Sequence, residues 1–435
     1  MNSETPSHHP AQTAQQHASF FKQSGWLMIS SIGGGMLTWA VHFLSTNIPK
    51  EDYSIFVTLL MVTAVLPTMP LQMVFAAQTA AALATNRERQ LSGMIRLAFL
   101  SVTAVWLVAA VLVFVYQGQI VTAWKLGSST PLWITLFTVL IALWGPMFTG
   151  MLQGCQDFFL IGWTAIIGGV SRIGTAAVLV LALGLGATGM VSGALAGMIV
   201  VAAVAIWRTR DLWSQPCEKI DGLALLRQVA PLMFGFGAFQ FMFTSDTMFA
   251  QAYFSSDEMA PYGAAGTLSR ALLWLVLPLA AVMFPKLVHS NAKSEKSNLL
   301  KIVLLGTAAL SICGGVGLCM FGPWLVELIG VFPKSFIKPM VVLLPWYAAA
   351  MVPLALANVL VNDLMARKQF RAVPVIVLVA VAYGFTLPYI LNHYPRKLET
   401  VLQTLGVFNC LLLAVCAWGA FGKSPATRQV PVPGK

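Results

Sequence analysis

From Gln228 to Leu287 the chain reads QVAPLMFGFGAFQFMFTSDTMFAQAYFSSDEMAPYGAAGTLSRALLWLVLPLAAVMFPKL. Two apolar runs, 226–253 and 262–284, flank the short polar turn FSSDEMAP at 254–261. Each run exceeds the roughly 20 residues that a helix needs to cross a bilayer core. The pair therefore predicts a transmembrane helical hairpin. Each run also holds one charge well inside it, Asp246 in the first and Arg270 in the second. A charge at that depth costs at least about 2.5 kcal/mol, so it faces a partner or a wet cavity. Counted from the turn, Asp246 lies about as far back as Arg270 lies forward. At about 1.5 Å per helical residue the two reach similar heights.

The rest of the 435-residue chain repeats this chemistry. Hydrophobic residues make up 58% and charged residues 9%, with a mean hydropathy of +0.78. A soluble domain carries about 25% charged residues, so the composition excludes an ordinary soluble fold. It predicts an all-α integral membrane protein. The net charge of +11 does not point to nucleic acid, because the basic residues fall in short loops between apolar runs. The six cysteines, Cys155, Cys217, Cys313, Cys319, Cys410 and Cys416, lie in or beside apolar runs or in loops, so no disulfide framework is indicated. Residues 1–19 are polar and His/Gln-rich, and lack a basic segment running straight into an apolar core. They read as a disordered cytosolic tail rather than a cleavable signal.

Twelve spans are expected, at 22–46, 53–84, 93–116, 131–154, 158–184, 187–207, 226–253, 261–286, 299–322, 339–362, 372–392 and 401–421. With the amino terminus in the cytosol, six basic residues lie outside: Lys50, Lys125, Lys334, Lys338, Arg396 and Lys397. Arg172 and Arg270 lie within spans, and the other eighteen of the 26 Lys and Arg residues lie inside. That bias places both termini in the cytosol. The longest polar connection, WRTRDLWSQPCEKIDG at 207–222, leaves six spans on each side. The domain plan is thus a bundle over 20–207, a cytosolic linker over 208–225, a second bundle over 226–421 and a tail over 422–435. The halves look related. Asp52-Tyr53 opens the second span as DEMAPY (257–262) opens the eighth, and QDF (156–158) opens the fifth as KQF (368–370) opens the eleventh. Six spans followed by six related ones predict two bundles with pseudo-two-fold symmetry about a central cavity.

Polar residues recur on single helical faces. They are Ser31, Gly35, Thr38, His42 and Ser45 in the first span; Thr164, Gly168, Arg172 and Thr175 in the fifth; Gln240, Thr244, Thr247 and Gln251 in the seventh, with Asp246 one step round; and Gly263, Gly266, Thr267, Arg270 and Trp274 in the eighth. Small and polar residues also serve helix packing, as the consecutive GxxxG steps Gly189, Gly193 and Gly197 are expected to do. Arg172 and Arg270 are cavity candidates. Asp246 either shares that role or neutralises one of the arginines. His42, Gln240 and Thr247 complete the candidate set. Other motifs fail on context. Gly184-x-Gly186-x-x-Gly189 matches a dinucleotide fingerprint without a preceding strand, and Gly422-Lys423-Ser424 lacks the first glycine of a phosphate loop. No cofactor or metal is called for.

Four stretches carry a family resemblance: IPKEDYSIFVTLLMV (48–62), GMLQGCQDFFLIGWTAIIGGVSRIGTAAVLV (150–180), TSDTMFAQAYFSSDEMAPYGAAGTLSRALLWLVLPLAAVMFPKL (244–287) and FGPWLVELIGVFPKSF (321–336). Over about residues 20–420 the chain resembles the polysaccharide-transporter branch of the multidrug/oligosaccharidyl-lipid/polysaccharide exporter superfamily, the flippases of bacterial O-antigen and exopolysaccharide synthesis. The resemblance implies two six-helix bundles that alternate between inward- and outward-open states. It implies an inner-membrane transporter, not an enzyme, whose cargo is a polyprenyl-diphosphate-linked glycan. Its implied surroundings are membrane lipids and glycan polymerase or glycosyltransferase machinery. Arg172 and Arg270 match the family's intramembrane arginines and Asp246 its helix-seven acid. A cation-coupled multidrug exporter of the same superfamily is the alternative. That reading needs a buried acid, commonly in the first bundle, where no acid lies within the spans. A membrane glycosyltransferase or polymerase would need a sizeable outer loop with catalytic carboxylates, and the outer loops are short.

Overall fold

A computed structural model describes residues 26–27, 29–218, 222–273, 299–367 and 369–421. Every regular element among them is helical. Nine helices among the described residues are long and apolar enough to cross a membrane. The tails at 1–19 and 422–435 and the second half of the eighth expected span (274–286, with Trp274) lie outside the described residues, as does the start of the first span.

Helix α1 covers 29–39 and tightens into a 3-10 segment at Ala40–Asn47. α2 (Lys50–Ala64) and α3 (Thr68–Thr85) occupy the second expected span. The helix breaks between them because Pro67 has no N–H to donate and disfavours helical backbone at Leu66. α4 (Glu88–Ala123) is 36 residues long, and Leu100, Val105, Val108, Val111 and Phe114 on it are exposed. In a bilayer such an apolar exterior meets lipid rather than water. α5 (Thr130–Gly154) is next, then α6 (Phe158–Ala177), which is capped by Asp157 and continues as a π turn at Val178–Ala182. α7 (Gly186–Arg208) and the short α8 (Arg210–Trp213) end this half. The polar connection after α8 is tied down by Ser92 Oγ, which lies 2.8 Å from the carbonyls of both Trp213 and Gln215, and by Arg96, which donates to the same two carbonyls.

α9 (Gly222–Tyr253) and α10 (256–273) form the predicted hairpin. α9 is not among the nine spans found among the described residues. α11 (Leu299–Ile329), α12 (Lys334–Ala366), α13 (Val373–His393) and α14 (Leu398–Phe421) complete the chain. α12 accommodates Pro339, Pro345 and Pro353. Membrane helices tolerate such breaks where neighbours satisfy the freed carbonyls.

The chain divides into two units. The first takes Met1–Met233, Gln251–Gly263 and Val326–Ile337; the second takes Phe234–Ala250, Ala264–Leu325 and Lys338–Lys435. The first unit has an apolar core of Leu71, Phe75, Met94, Ile95, Met147, Phe148, Met151 and Ala205, contributed by α3, α4, α5 and α7. Residues of the turns before α2, before α5 and between α9 and α10 also belong to it. Lys50 donates to Asp257 Oδ1 at 2.8 Å, and Lys125 donates to the Phe254 carbonyl at 2.5 Å. The second unit buries Phe239, Met242, Tyr347, Met351, Leu354, Tyr383 and Leu405, and Asn409 Nδ2 donates to the Ala350 carbonyl at 2.8 Å.

Candidate functional site

Within the second unit, α9 presents Phe243, Asp246 and Thr247 to α10 and α12. Arg270 Nη2 donates to Asp246 Oδ1 at 2.6 Å and to Thr247 Oγ1 at 2.8 Å, and its Nε donates to the Phe243 carbonyl at 3.1 Å. Tyr347 of α12 donates its hydroxyl proton to Asp246 Oδ2 at 3.0 Å. The guanidinium also lies over the rings of Phe243 and Tyr347, 5.7 Å from each centroid. Asp246, Thr247 and Tyr347 are 0% exposed and Arg270 is 4% exposed. Of the two partners open to Asp246 in the sequence, it takes Arg270. Gln240 lies half-buried on the same helix, one and two turns before these groups, and its carbonyl accepts from Thr244 Oγ1.

A buried pair of this kind is locked by geometry, because each charge loses water and regains that energy only from well-placed partners, here the opposite charge together with Thr247, Tyr347 and the Phe243 carbonyl. Gly266 makes room for it. A Cβ there would sit 2.6 Å from Arg270 Nη1 and 2.8 Å from Tyr347 Oη. Gly266→Ala is therefore expected to push the guanidinium or the phenol out of register and to cost about 1–3 kcal/mol, as overpacking does. The check is the thermal unfolding midpoint of the purified protein in detergent, and an unchanged midpoint would mean the crowding is relieved at no cost.

The first unit holds a different arrangement. A cavity of ≈ 400 Å³ opens among α1, α3, α5, α6 and α7, walled by Gly35, Thr38, Thr68, Gly145, Thr149, Gly168, Gly197 and Arg172, among others. Arg172 is 8% exposed, and its Nε has no hydrogen-bond partner among the described residues. No ion pair of Arg172 occurs among them either. Glycines bring the walls this close. A Cβ on Gly193 of α7 would meet the Arg172 carbonyl at 2.5 Å, and one on Gly197 would meet the Gly168 carbonyl at 2.7 Å. Gly34 of α1 likewise packs against the Ala165 carbonyl of α6. The GxxxG steps of α7 thus act as close-packing positions.

His42 stands one turn beyond Thr38, 3% exposed, with Nδ1 3.0 Å from Tyr53 Oη. Trp39, Phe56 and Phe332 pack around its ring. The structure thus brings Asp246, Thr247 and Arg270 together in one unit and places Arg172 and His42 in the other. Sequence reasoning missed Tyr347, which no local pattern distinguishes from its apolar neighbours. It also missed Asp363, 0% exposed, which accepts from Arg367 Nε at 2.8 Å. The i, i+4 spacing of that pair was the available signal.

The family model described as Lipid II flippase MurJ matches residues 28–397. The chain belongs to the MurJ lipid II flippase family. Members are membrane transporters of a lipid-linked precursor, so the sequence resemblance holds at the level of the superfamily. A solved structure titled as the inward-facing conformation of a multidrug resistance MATE family transporter of the MOP superfamily is 11% identical, with a TM-score of 0.71 over 89% of this chain and 93% of that one. One titled Lipid II flippase MurJ, inward closed conformation, is 14% identical, with a TM-score of 0.66 over 92% and 87%. An outward-facing MATE family transporter gives 0.57 at 13% identity, over 92% and 94%. At these identities the likenesses show the fold. No curated protein matches the sequence.

Proposed function

We propose that this MurJ-family protein flips a polyprenyl-diphosphate-linked saccharide across the cytoplasmic membrane by alternating access of two six-helix bundles, with both termini in the cytosol. The observation that carries the reading is Arg172, a buried cation facing a cavity with no carboxylate set against it among the described residues. A guanidinium in low dielectric favours an anionic ligand, and its fork matches phosphate oxygens. Family membership supports a lipid-linked envelope precursor as cargo, lipid II being the one named for the family. The four stretches that carry the polysaccharide-transporter resemblance favour an O-antigen or exopolysaccharide precursor, which presents the same diphosphate. Arg270 is the second cation proposed to serve the cargo, with Asp246, Thr247 and Gln240 on its own unit, while His42 lies with Arg172 in the first unit. Glycan polymerase or glycosyltransferase machinery is the expected neighbour in the membrane. Against the multidrug-exporter alternative, the acids of α2, α4 and α6 among the described residues, Glu51, Asp52, Glu88 and the cap Asp157, sit at or before helix starts.

The test is complementation in cells depleted of the native protein. Arg172→Ala, and the paired Asp246→Ala/Arg270→Ala that leaves no unmatched buried charge, are each expected to reduce flipping of the lipid-linked precursor at least about 10-fold, the cost of losing one charge-assisted contact, with membrane abundance unchanged. Accumulated peptidoglycan precursor would identify lipid II as cargo, and loss of surface polysaccharide alone would identify the other class. Wild-type flipping by both variants, or a change confined to drug susceptibility, would contradict the proposal.

A further inference from the structure

The turn between α12 and α13 buries two acceptor oxygens that the transport reading does not use. Asp363, in the last turn of α12, is 0% exposed. Its Oδ1 accepts from Arg367 Nε at 2.8 Å, while its Oδ2 is buried with no hydrogen-bond partner among the described residues. Gln369, the residue before the 3-10 turn Phe370–Ala372, likewise buries an Oε1 with no partner among them. The chain folds back over the end of α12 here, and the Gln369 N–H donates to the Leu364 carbonyl at 2.9 Å.

The first unit builds the same turn and completes it with its own groups. The Asp157 N–H donates to the Leu152 carbonyl at 3.0 Å, as Gln369 does to Leu364, and QDF (156–158) answers to KQF (368–370). There the Asp157 carboxylate accepts from the Leu160 N–H at 3.3 Å and from Arg208 Nε at 3.1 Å. In the second unit the acid has moved to Asp363, where the first unit has the apolar Met151. No donor among the described residues reaches its Oδ2 or the Gln369 Oε1.

We propose that the α12–α13 turn binds a monovalent alkali cation, with Asp363 Oδ2 and Gln369 Oε1 as ligands. Both donors are oxygens, the kind that suit hard cations. A single carboxylate already engaged by Arg367 brings too little charge for a divalent ion. The C-terminal end of α12 adds the negative pole of its dipole, and such helix ends hold cations in membrane proteins. A buried carboxylate oxygen without a donor is costly, so the turn gains from an arriving ion. Arg367 does not fill the place, because its Nε lies at Oδ1 and its side chain is 28% exposed. The inference goes beyond the anionic cargo and does not depend on it.

The experiment measures binding of radiolabelled sodium to the full-length protein in detergent, with sodium, potassium and choline chlorides as competitors at one ionic strength. Wild-type protein is expected to bind label that sodium or potassium displaces and choline does not. Asp363→Asn keeps an acceptor for Arg367 and is expected to weaken binding at least about 10-fold. Gln369→Glu gives this turn the acid that the first unit has at Asp157, and is expected to tighten binding about 10-fold. Such a gain does not arise from a misfolded protein. Asp211→Asn, exposed on α8, serves as the unaffected control. Stronger displacement by potassium than by sodium would support the site and name its ion. No displaceable binding, or equal binding by wild type, Asp363→Asn and Gln369→Glu, would overturn the proposal. So would an unfolding midpoint that responds to acid through Asp363 and to no alkali cation, since a proton would then complete the turn.

Discussion

Asp246→Ala is expected to lower the stability of the protein by about 3–5 kcal/mol, the usual cost of stripping one partner from a buried ion pair. The mechanism is the stranded guanidinium. Arg270 would keep its bond to the Phe243 carbonyl and its place over two aromatic rings, but would lose the carboxylate at 2.6 Å in surroundings that leave it 4% exposed. Tyr347 would lose its acceptor in the same step. Removing both charges in Asp246→Ala/Arg270→Ala is expected to restore much of the stability, since an uncharged pair of truncations leaves space but no unpaired ion. The double-mutant cycle, read from unfolding midpoints in detergent, isolates the coupling. A single variant that melts with the wild type would show that the pair contributes nothing to the fold. The same double variant is expected to flip no substrate if Arg270 belongs to the transport path.

The second large effect is expected at Gly193. A Cβ placed there meets the Arg172 carbonyl at 2.5 Å and the Ala176 Cβ at 2.7 Å, both fixed parts of α6. Gly193→Leu therefore has no flexible neighbour to displace, and α6 and α7 must separate. The expected cost is about 3 kcal/mol, the upper part of the usual range for overpacking. Gly174→Leu makes a matched control, because nothing lies within 4 Å of a Cβ at that position. If both variants unfold at the same midpoint, close approach of these two helices is not what holds the first unit together. The two variants should also differ in anion binding, since moving α6 moves Arg172.

These two sites also mark how far the sequence could be read. Apolar runs and their polar turns located the helices, because backbone groups in a bilayer must be satisfied within the helix and the run length is set by its thickness. GxxxG spacing identified the face of α7 that meets α6, since only hydrogen lets two backbones come so near. The depth of Asp246 and Arg270 announced a partner for each, and the hairpin put them at one height. What the sequence withheld was contact between distant elements. Tyr347 joins the Asp246 cluster across 101 residues, and nothing local marks it. The break at Pro67 and the π turn at Val178–Ala182 were also invisible to a hydropathy pattern, because neither changes the apolar character of its span. The contrast between a neutralised Arg270 and an Arg172 with no carboxylate beside it among the described residues needed coordinates, because two lone arginines in apolar runs look alike.

The π turn in α6 carries an evolutionary consequence. A π turn holds one more residue than the α turn it replaces, and such turns tend to arise by single-residue insertion. Deleting one residue within 178–182 should turn this part of the helix back to regular α geometry while the segments on either side keep their facing, because the same turn is then closed by one residue fewer. Arg172 would keep its place at the cavity wall. Homologues lacking the extra residue should accordingly carry their basic side chain on the same face, one position nearer in sequence to the glycine that opens α7, and an ancestral reconstruction spanning both lengths would show which arrangement came first.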